Sequence, residues 1–326
     1  MDSPQAKDWI AARLALDPAC LQMESLGGGV SNHVVLVNGP SIRWVFKQAL
    51  GQLRVEQEWL CRQDRIFREC QVMRDLAGCL PPGSVPGIRL EDRENYVFAM
   101  EAAPADAQPW KAQLLPGEVR LEHAVRAGRL LGAWIGESAK HPEWRSDYGD
   151  QTVFGELRVD PYYRTTAARH PELAAHFAAL IEECGQRRVS LVHGDFSPKN
   201  LLVTDDAMMA IDWEVVHWGD PSFDAAFLTN HLLLKAFHRP AQWRDYSAAA
   251  AAFWKTLLAT MPPGYDWFEP AAMRHLGCLL LARIDGKSPA EYLTTTTVKE
   301  NVRTAAARLI LTPPATGTDS FERVFS

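Results

Sequence analysis

Two polar stretches in the second half of the chain combine residue types that suit metal and phosphate chemistry. The first, "LVHGDFSPKNLLV", places Asp195 and Asn200 five positions apart, and the second, "MMAIDWEVV", carries Asp212 and Glu214. The first stretch alone also fits an ordinary turn between buried strands, because Asp, Ser, Pro and Asn are turn formers. Its neighbours are needed to decide between a turn and a reactive site.

The segment between the two stretches predicts that their polar residues meet. "LLVTDDAMMA" has the pattern of a β-hairpin with its turn at 204–207, which would place Asn200 and Asp212 at the same end of two paired strands. Amide and carboxylate oxygens in that position can share Mg2+, which prefers oxygen ligands. Asp195 would then lie beside the metal, where it could orient or deprotonate an attacking hydroxyl group.

Two features upstream could bind phosphates. Gly27–Gly29 would let backbone N–H groups approach a ligand, although glycine-rich turns are commonly structural and no Walker pattern follows. Lys47, in the apolar strand "WVFKQ", is either a lysine facing solvent or a phosphate-binding lysine held by a carboxylate on the next helix. Glu69 is the first candidate for that carboxylate, and Glu58 is the reserve.

The composition is typical of a folded protein with a large core. The 326 residues are 47% hydrophobic and 23% charged, with a formal net charge of -6, which argues against a disordered chain and against a basic nucleic-acid-binding protein. The six cysteines show no CxxC pair or zinc-spaced cluster, and neither a signal peptide nor an apolar run of membrane-spanning length is found. We expect a reduced, cytoplasmic protein that binds no membrane and no nucleic acid.

The hydrophobic patterns divide the chain into two parts. Residues 20–103 predict a small, mainly antiparallel sheet with one inserted helix and a hairpin signal at Asn38-Gly39. The expected domains are 1–102 and 103–326, which should share a cleft because no flexible linker joins them. Apolar periodicity predicts helices at 2–18, 56–78, 118–139, 171–188, 224–237, 243–260 and 271–286.

The order of the polar motifs resembles that of the protein-kinase-like phosphotransferases, specifically the aminoglycoside phosphotransferase and choline kinase branch. The matching features are, in order, the glycine loop, Lys47, Glu69, "VFAMEAA", "HGDFSPKN", "IDWE" and "WGDPSFDAA". The resemblance covers roughly residues 20–235. It implies an α+β, two-lobed protein-kinase-like fold with a small antiparallel-sheet N-terminal lobe and a larger, mostly helical C-terminal lobe. "FKQALGQLRVEQEWLCRQDRIFRECQVM" and "ARIDGKSPAEYL" are similar to the methylthioribose kinases, whereas the asparagine of "HGDFSPKN" departs from their loop.

Carried over position by position, the resemblance implies Asp195 as the catalytic base. Asn200 and Asp212 would be Mg2+ ligands, and Glu214 is a candidate for a third. Lys47 would contact the α- and β-phosphates of ATP, and the backbone of residues 100–102 would receive the adenine. The implied nucleotide-binding residues are Gly27, Gly28, Gly29, Ser31, Asn32, Lys47, Glu69, Met100, Glu101 and Ala102.

Several polar residues near the motifs have both a functional and a structural interpretation. His193 could be a base, but we expect it to hydrogen-bond backbone near Asp212 or Asp220 and to stiffen the loop. Asp220 is expected to brace the catalytic loop, and Asp224 to favour a helix start through the helix dipole. The candidate acceptor contacts, each of which also fits core packing, are Trp213, Tyr162, Tyr163, Arg164 and Arg283.

The sequence therefore predicts an ATP- and Mg2+-dependent phosphotransferase that moves the γ-phosphate to a hydroxyl of a small metabolite. The acceptor could be a sugar, an amino alcohol or an aminoglycoside-like compound, and the protein a monomer or homodimer. The short spacing from Glu214 to Asp220 leaves no room for an activation segment that docks a peptide. The alternatives are a nucleotide-binding pseudokinase with a regulatory or scaffolding role, and a metal hydrolase using His193 and Asp195, for which further ligands are lacking.

Overall fold

The computed structural model describes residues 4–26, 32–51 and 63–325. The chain forms two compact units, Met1–Ala107 and Gln108–Ser326. The first contains an antiparallel sheet with helices and the second is mostly helical, which confirms the predicted α+β fold class.

The first unit is built on a five-stranded antiparallel sheet with the spatial order β1-β2-β3-β5-β4. Its strands are β1 (Gln22–Ser25), β2 (Asn32–Gly39), β3 (Ile42–Ala49), β4 (Ile88–Asp92) and β5 (Val97–Glu101).

The hairpin between β2 and β3 corrects one prediction. Gly39 pairs with Ile42, so the turn lies at Pro40 and Ser41, and the Asn38-Gly39 signal belongs to the end of β2. Proline pre-sets the backbone angle of the first central turn residue, and it therefore places the turn after Gly39.

In the described part of the first unit, two helices accompany this sheet. Helix α1 (Pro4–Leu14) contributes Ile10 and Ala11 to a core that includes Phe46 of β3. The predicted helix 2–18 is too long, because a separate 3-10 turn begins at Pro18. Helix α2 (Arg65–Ala77) buries one face with a helical spacing, and residues 52–62 of the predicted helix 56–78 lie outside the described residues.

The second unit contains the remaining helices. The five predicted there are confirmed, with ends that differ by at most three residues. The helices are α3 (Trp110–Leu114), α4 (Leu121–Ser138), α5 (Trp144–Asp147), α6 (Thr152–Phe154), α7 (Thr165–Arg169), α8 (Ala174–Gln186), α9 (Ser222–His238), α10 (Trp243–Thr260), α11 (Phe268–Asp285), α12 (Thr296–Leu311) and α13 (Asp319–Phe325). Within the described helices, no stretch combines the length and apolar character needed to span a bilayer.

Helices α9 and α11 are buried on nearly all sides, as expected of helices at the centre of a core. The ten residues from Gly155 to Arg164 form a π-helix that contains Pro161. Its wider turn explains why the α-helical spacing did not fit this segment.

Two small sheets hold the polar stretches of the second unit. β7 (Ser190–Val192) pairs with β10 (His217–Gly219), while β6 (Gln108–Pro109), β8 (Leu201–Val203) and β9 (Met208–Ala210) form the other sheet. The predicted hairpin of β8 and β9 is confirmed, with Leu201 opposite Ala210 and a turn closed by Thr204 N to Ala207 O at 3.1 Å. Residues 193–200 and 211–216 are therefore loops that leave paired strands.

Candidate active site

The loop that carries Asp195 is fixed through its backbone by Asp224 of α9. The carboxylate of Asp224 is fully buried and accepts hydrogen bonds from His193 N (2.7 Å) and Gly194 N (2.9 Å). Burial raises the pKa of Asp224 to about 7, although these bonds act in the opposite direction. Gly194 has a φ of 74°, and a Cβ there would lie 2.7 Å from Val215 Cγ1, so the loop requires glycine.

The sequence predicts this bracing for Asp220, and the structure corrects that assignment. Asp220 accepts hydrogen bonds from the backbone N and the hydroxyl of Ser222 and pairs with Arg187. Asp220 lies two residues before the start of α9, close to the N–H groups of the first turn that lack partners within the helix. Asp224, placed one turn into the helix, reaches the loop instead.

His193 joins the two loops through hydrogen bonds from its ring. Burial lowers the pKa of His193 to about 4, so the ring is neutral near pH 7. Its Nδ1 accepts from Asp195 N at 3.2 Å, which leaves the proton on Nε2 to be donated to Ile211 O at 3.0 Å. This is the backbone contact near Asp212 that the sequence predicts, and it suits a positioning residue rather than a base.

Asp195 is a buried carboxylate between two basic side chains. It is 5% exposed, and its Oδ2 lies 2.8 Å from Lys199 Nζ and 3.1 Å from Arg158 Nη2. Burial opposes ionisation, but the charges of Lys199 and Arg158 outweigh it and hold the pKa of Asp195 below its ordinary value. Asp195 is therefore ionised at neutral pH and can accept a hydrogen bond or a proton.

Asn200 and Asp212 lie at neighbouring ends of the hairpin strands. Asn200 O accepts from Ile211 N at 3.0 Å, and Asn200 Nδ2 donates to Asp195 O at 3.0 Å, an orientation that directs the amide oxygen away from that bond. Asp212 has a φ of 66°, a conformation that Asp tolerates better than most residues. Its charge opposes ionisation of Asp195, so the two carboxylates are close.

This donor set fits a hard divalent cation. An amide oxygen and a carboxylate are the oxygen ligands that Mg2+ takes, and a cation would offset the repulsion between the charges of Asp195 and Asp212. Glu214 follows in the same loop, half-buried, with its charge near Arg158.

The first unit contains a buried ion pair between β3 and α2. Lys47 Nζ and Glu69 Oε1 are 2.8 Å apart, and the two residues are 4% and 1% exposed. Lys47 and Phe46 alternate along β3, so Phe46 faces the core shared with α1 while Lys47 faces α2. Glu69 lies on the buried face of α2, where the sequence predicted a carboxylate for Lys47.

The other predicted nucleotide contacts are only partly described. Gly27, Gly28, Gly29 and Ser31 lie outside the described residues, and Asn32 is buried at the start of β2. Glu101 N donates to Gly87 O at 2.8 Å and Ala102 N to Arg43 O at 3.0 Å. Those N–H groups are already used within the unit, so an adenine would need other backbone groups around Met100–Ala102.

Three of the proposed acceptor contacts are corrected. Trp213 is fully buried, donates to Ala210 O and packs against His193. Tyr163 is 1% exposed and its hydroxyl lies 2.7 Å from His275 Nδ1, whereas Arg164 is on the surface and pairs with Asp160. Core packing explains the two aromatic residues, because both are enclosed and their polar atoms already have partners within the protein.

Tyr162 and Arg283 lie nearer to the reactive loop. Arg283 Nη1 donates to the hydroxyl of Tyr162 at 3.2 Å, and the guanidinium of Arg158 lies 5.7 Å from the centre of the Tyr162 ring. Arg158 also donates through Nε to Gly194 O. Tyr162 is thus one side chain away from Asp195.

The sequence interpretation missed Arg158, Lys199 and Asp224. Lys199 could have been found, because it lies four residues after Asp195 within the same motif. Arg158 and Asp224 reach the loop from the π-helix and from α9, and no local spacing reports such contacts.

Comparison with known proteins supplies a family and a fold. The model of the family described as "Phosphotransferase enzyme family" matches residues 22–270. "Methylthioribose kinase 2" of Oryza sativa subsp. japonica is 23% identical over 288 residues, covering 80% of this chain and 67% of the rice protein. The chain thus spans about two thirds of the length of that relative.

Two solved structures are similar over nearly the whole chain. The streptomycin-ATP-APH(2")-IIa ternary complex aligns with a TM-score of 0.54 at 12% identity, covering 95% of this chain and 98% of that one. The Plasmodium vivax ethanolamine kinase aligns with a TM-score of 0.53 at 10% identity, covering 100% of this chain and 88% of that one. At these identities the likeness shows a shared fold.

Proposed function

The chain belongs to the phosphotransferase enzyme family, and from this premise we propose that it transfers the γ-phosphate of ATP to a hydroxyl group of a small metabolite with the help of Mg2+. The family match confirms the predicted enzyme class, a phosphotransferase. Relatives named as methylthioribose kinases, and a structurally similar protein solved with streptomycin and ATP, support the choice of ATP and of a small acceptor.

The observation that carries the proposal is the state of Asp195. It is buried, ionised and held on a loop that Asn200, His193 and Asp224 fix from three directions. A carboxylate placed so firmly can accept a hydrogen bond from the acceptor hydroxyl and orient its oxygen for in-line attack on the γ-phosphorus. As the new O–P bond forms and the bond to the leaving ADP oxygen breaks, the hydroxyl proton passes to Asp195.

The other residues serve binding and charge neutralisation. Lys47, kept in place by Glu69, is proposed to contact the α- and β-phosphates. Asn200 and Asp212, with Glu214 as a further candidate, are proposed to hold Mg2+, which would neutralise phosphate charge. Lys199 and Arg158 keep Asp195 ionised before the acceptor arrives and lie close to the charge that develops during transfer.

The proposal is tested with Asp195→Asn, which keeps the size of the side chain and removes its basicity. We expect turnover to fall by roughly 10²- to 10⁴-fold, the usual contribution of a general base, while the Kd for ATP changes little. Phosphoryl transfer to a panel of hydroxylated metabolites is followed by mass spectrometry, and ATP binding by calorimetry. Asp206→Asn, at an exposed aspartate of the β8–β9 turn, is the matched control.

Two results would contradict the proposal. Near-normal transfer by Asp195→Asn would show that Asp195 is not the base. ATP binding by the unmodified protein with no transfer to any alcohol-bearing metabolite would instead favour the pseudokinase alternative.

A further inference from the structure

Four basic residues of the second unit form a cluster that the proposed phosphate chemistry does not use. This basic cluster consists of Lys111 on α3, His231 and Lys235 on α9, and Arg283 on α11. Lys235 Nζ donates to His231 O at 3.2 Å, and Lys111 and Arg283 lie near enough for their charges to lower the pKa values of both residues.

Lys235 is buried without a negatively charged neighbour. It is 1% exposed, its Nζ donates to His231 O at 3.2 Å, and it lies 5.5 Å from the centre of the Tyr292 ring. In residues 4–26, 32–51 and 63–325 it forms no ion pair. Because burying an unpaired ammonium is costly, burial together with the charges of Lys111 and Arg283 lowers the pKa of Lys235 to about 7.

Arg283 likewise has no negatively charged partner among the residues that the structure describes. Its Nη1 donates to the hydroxyl of Tyr162 and, at 2.8 Å, to Ser288 Oγ, and its buried Nε has no partner in the described part of the chain. Burial and the charges of Lys235, Arg283, Lys199 and Lys111 hold the pKa of His231 well below its ordinary value. The cluster therefore contains the cations Lys111 and Arg283, a partly protonated Lys235 and a neutral His231, and no carboxylate of the described chain forms an ion pair with them.

Two aromatic side chains connect the cluster to Asp195. Tyr162 receives a hydrogen bond from Arg283 and lies under the guanidinium of Arg158, which pairs with Asp195 at 3.1 Å. Phe227 packs 5.1 Å from the ring of His231 and lies 5.8 Å from the same guanidinium. A chain of adjacent side chains, Arg158 and Tyr162, thus leads from the reactive carboxylate to Arg283 of the cluster.

We propose that the basic cluster binds an anionic group, a carboxylate or a phosphate, of the acceptor whose hydroxyl is presented to Asp195. This inference rests on the proposed function and narrows its acceptor class. Lys235 and Arg283 would pair with the anion, and the unpaired buried charges would then be compensated. Cationic acceptors, such as amino alcohols and aminoglycoside-like compounds, would be repelled by the same residues.

The test compares acceptors that differ mainly in charge. A three-carbon set contains glycerate, glycerol 3-phosphate, glycerol and 2-amino-1,3-propanediol, and a six-carbon set contains gluconate, glucose 6-phosphate, glucose and glucosamine. Transfer from labelled ATP with Mg2+ is measured for each compound, and binding is measured by thermal shift with a non-hydrolysable ATP analogue. Lys235→Met removes the buried charge, Arg283→Met is a second variant at another helix, and Lys255→Met, at an exposed lysine of α10, is the control.

We expect at least one anionic compound to exceed its neutral counterpart by about 100-fold or more in kcat/KM, and the cationic compound to be the poorest. The carboxylate and phosphate members of each set distinguish the two anion types. Lys235→Met should lower kcat/KM for the anionic acceptor by about 30-fold or more, mainly through KM. The Kd for ATP and the behaviour of Lys255→Met should stay unchanged.

The remaining outcomes separate the failure of this inference from the failure of the proposed function. Equal or better transfer to neutral or cationic members would overturn the inference and leave the kinase assignment intact, as would a Lys235→Met variant that loses ATP affinity instead of acceptor discrimination. Anion binding that depends on Lys235 without any transfer would support the cluster and refute the kinase assignment. If no anionic compound of either set were bound or phosphorylated, the inference would be overturned.

Discussion

Replacing Asp224 by Asn should change the stability of the protein in a way that depends on pH. Asp224 is fully buried and accepts two backbone N–H groups of the catalytic loop. Burial raises its pKa to about 7 from an ordinary value of 3.8. The folded state therefore holds the proton more tightly than the unfolded chain does, and this group favours folding less as the pH rises from about 4 to about 7.

The magnitude follows from those two pKa values. Above pH 7 the ionised carboxylate of Asp224 lowers the free energy of unfolding by about 4 kcal/mol relative to a group with the same pKa in both states. Between pH 5 and pH 8 the change is about 2–3 kcal/mol, since part of the effect is already present at pH 5. Asn has a similar shape and does not ionise, so over that interval the free energy of unfolding of Asp224→Asn should rise relative to that of the unmodified protein by the same amount.

The measurement is urea unfolding followed by tryptophan fluorescence at pH 5, 6, 7 and 8. Trp134 and Trp213 pack beside His193, so their emission reports on this loop. Comparing the two proteins at each pH cancels the titration of the shared groups, including Asp195 and Asp220, whose lowered pKa values have the opposite effect on stability. Turnover should still fall by about 10- to 100-fold, because Asn accepts through one oxygen and presents an NH2 group to a backbone donor.

Two results would refute this reasoning. In the first, the free energy of unfolding of the unmodified protein rises with pH relative to that of Asp224→Asn. The two N–H groups would then stabilise the ionised carboxylate, and the pKa of Asp224 would lie below 3.8. A difference between the proteins that did not vary with pH would mean that Asp224 has the same pKa in the folded and unfolded states.

Two further substitutions test the packing and the nucleotide site. Gly128→Ala should lower the free energy of unfolding by about 1–3 kcal/mol, because a Cβ there would lie 2.4 Å from Phe253 O and force α4 away from α10. A Cβ at Gly136 on the same helix would meet nothing within 4 Å, so Gly136→Ala should be neutral or stabilising. Thermal unfolding of both variants checks this, and equal stabilities would contradict the close approach of α4 and α10. Lys47→Met should raise the Kd for ATP by about 10-fold or more, measured by calorimetry. It should also lower the free energy of unfolding by about 3–5 kcal/mol, measured by urea unfolding, since it removes the buried ion-pair partner of Glu69. The double variant Lys47→Met/Glu69→Met should recover stability without recovering ATP binding.

The parts of the site that the sequence predicted are those controlled by local patterns. The β8–β9 hairpin follows from turn residues between two apolar runs, and it is sufficient to bring Asn200 beside Ile211 and Asp212. Lys47 meets Glu69 because a strand alternates faces and a helix repeats every three to four residues, so both side chains fall on the buried side of their elements.

The parts that were missed depend on contacts between elements far apart in the chain. Arg158 reaches Asp195 from a π-helix, whose wider turn shifts every side chain from the position that α-helical spacing predicts. Asp224 and Asp220 are four residues apart and chemically equivalent, so the sequence could not tell which of them would face the loop. The packing of α9 against the loop decides it.

The same distinction explains why the sequence points to candidate catalytic residues but not to the acceptor. The loop at residues 193–200 positions its groups through its own backbone, so its sequence reports its chemistry. The basic cluster draws Lys111, His231, Lys235 and Arg283 from three helices, and none of the four has an informative neighbour in the sequence. With the proposed role of the basic cluster, single substitutions on α9 or α11 would change the preferred acceptor charge without disturbing Asp195. A Lys235 variant that changes acceptor preference while Asp195 keeps its ion pairs would be direct evidence for that separation.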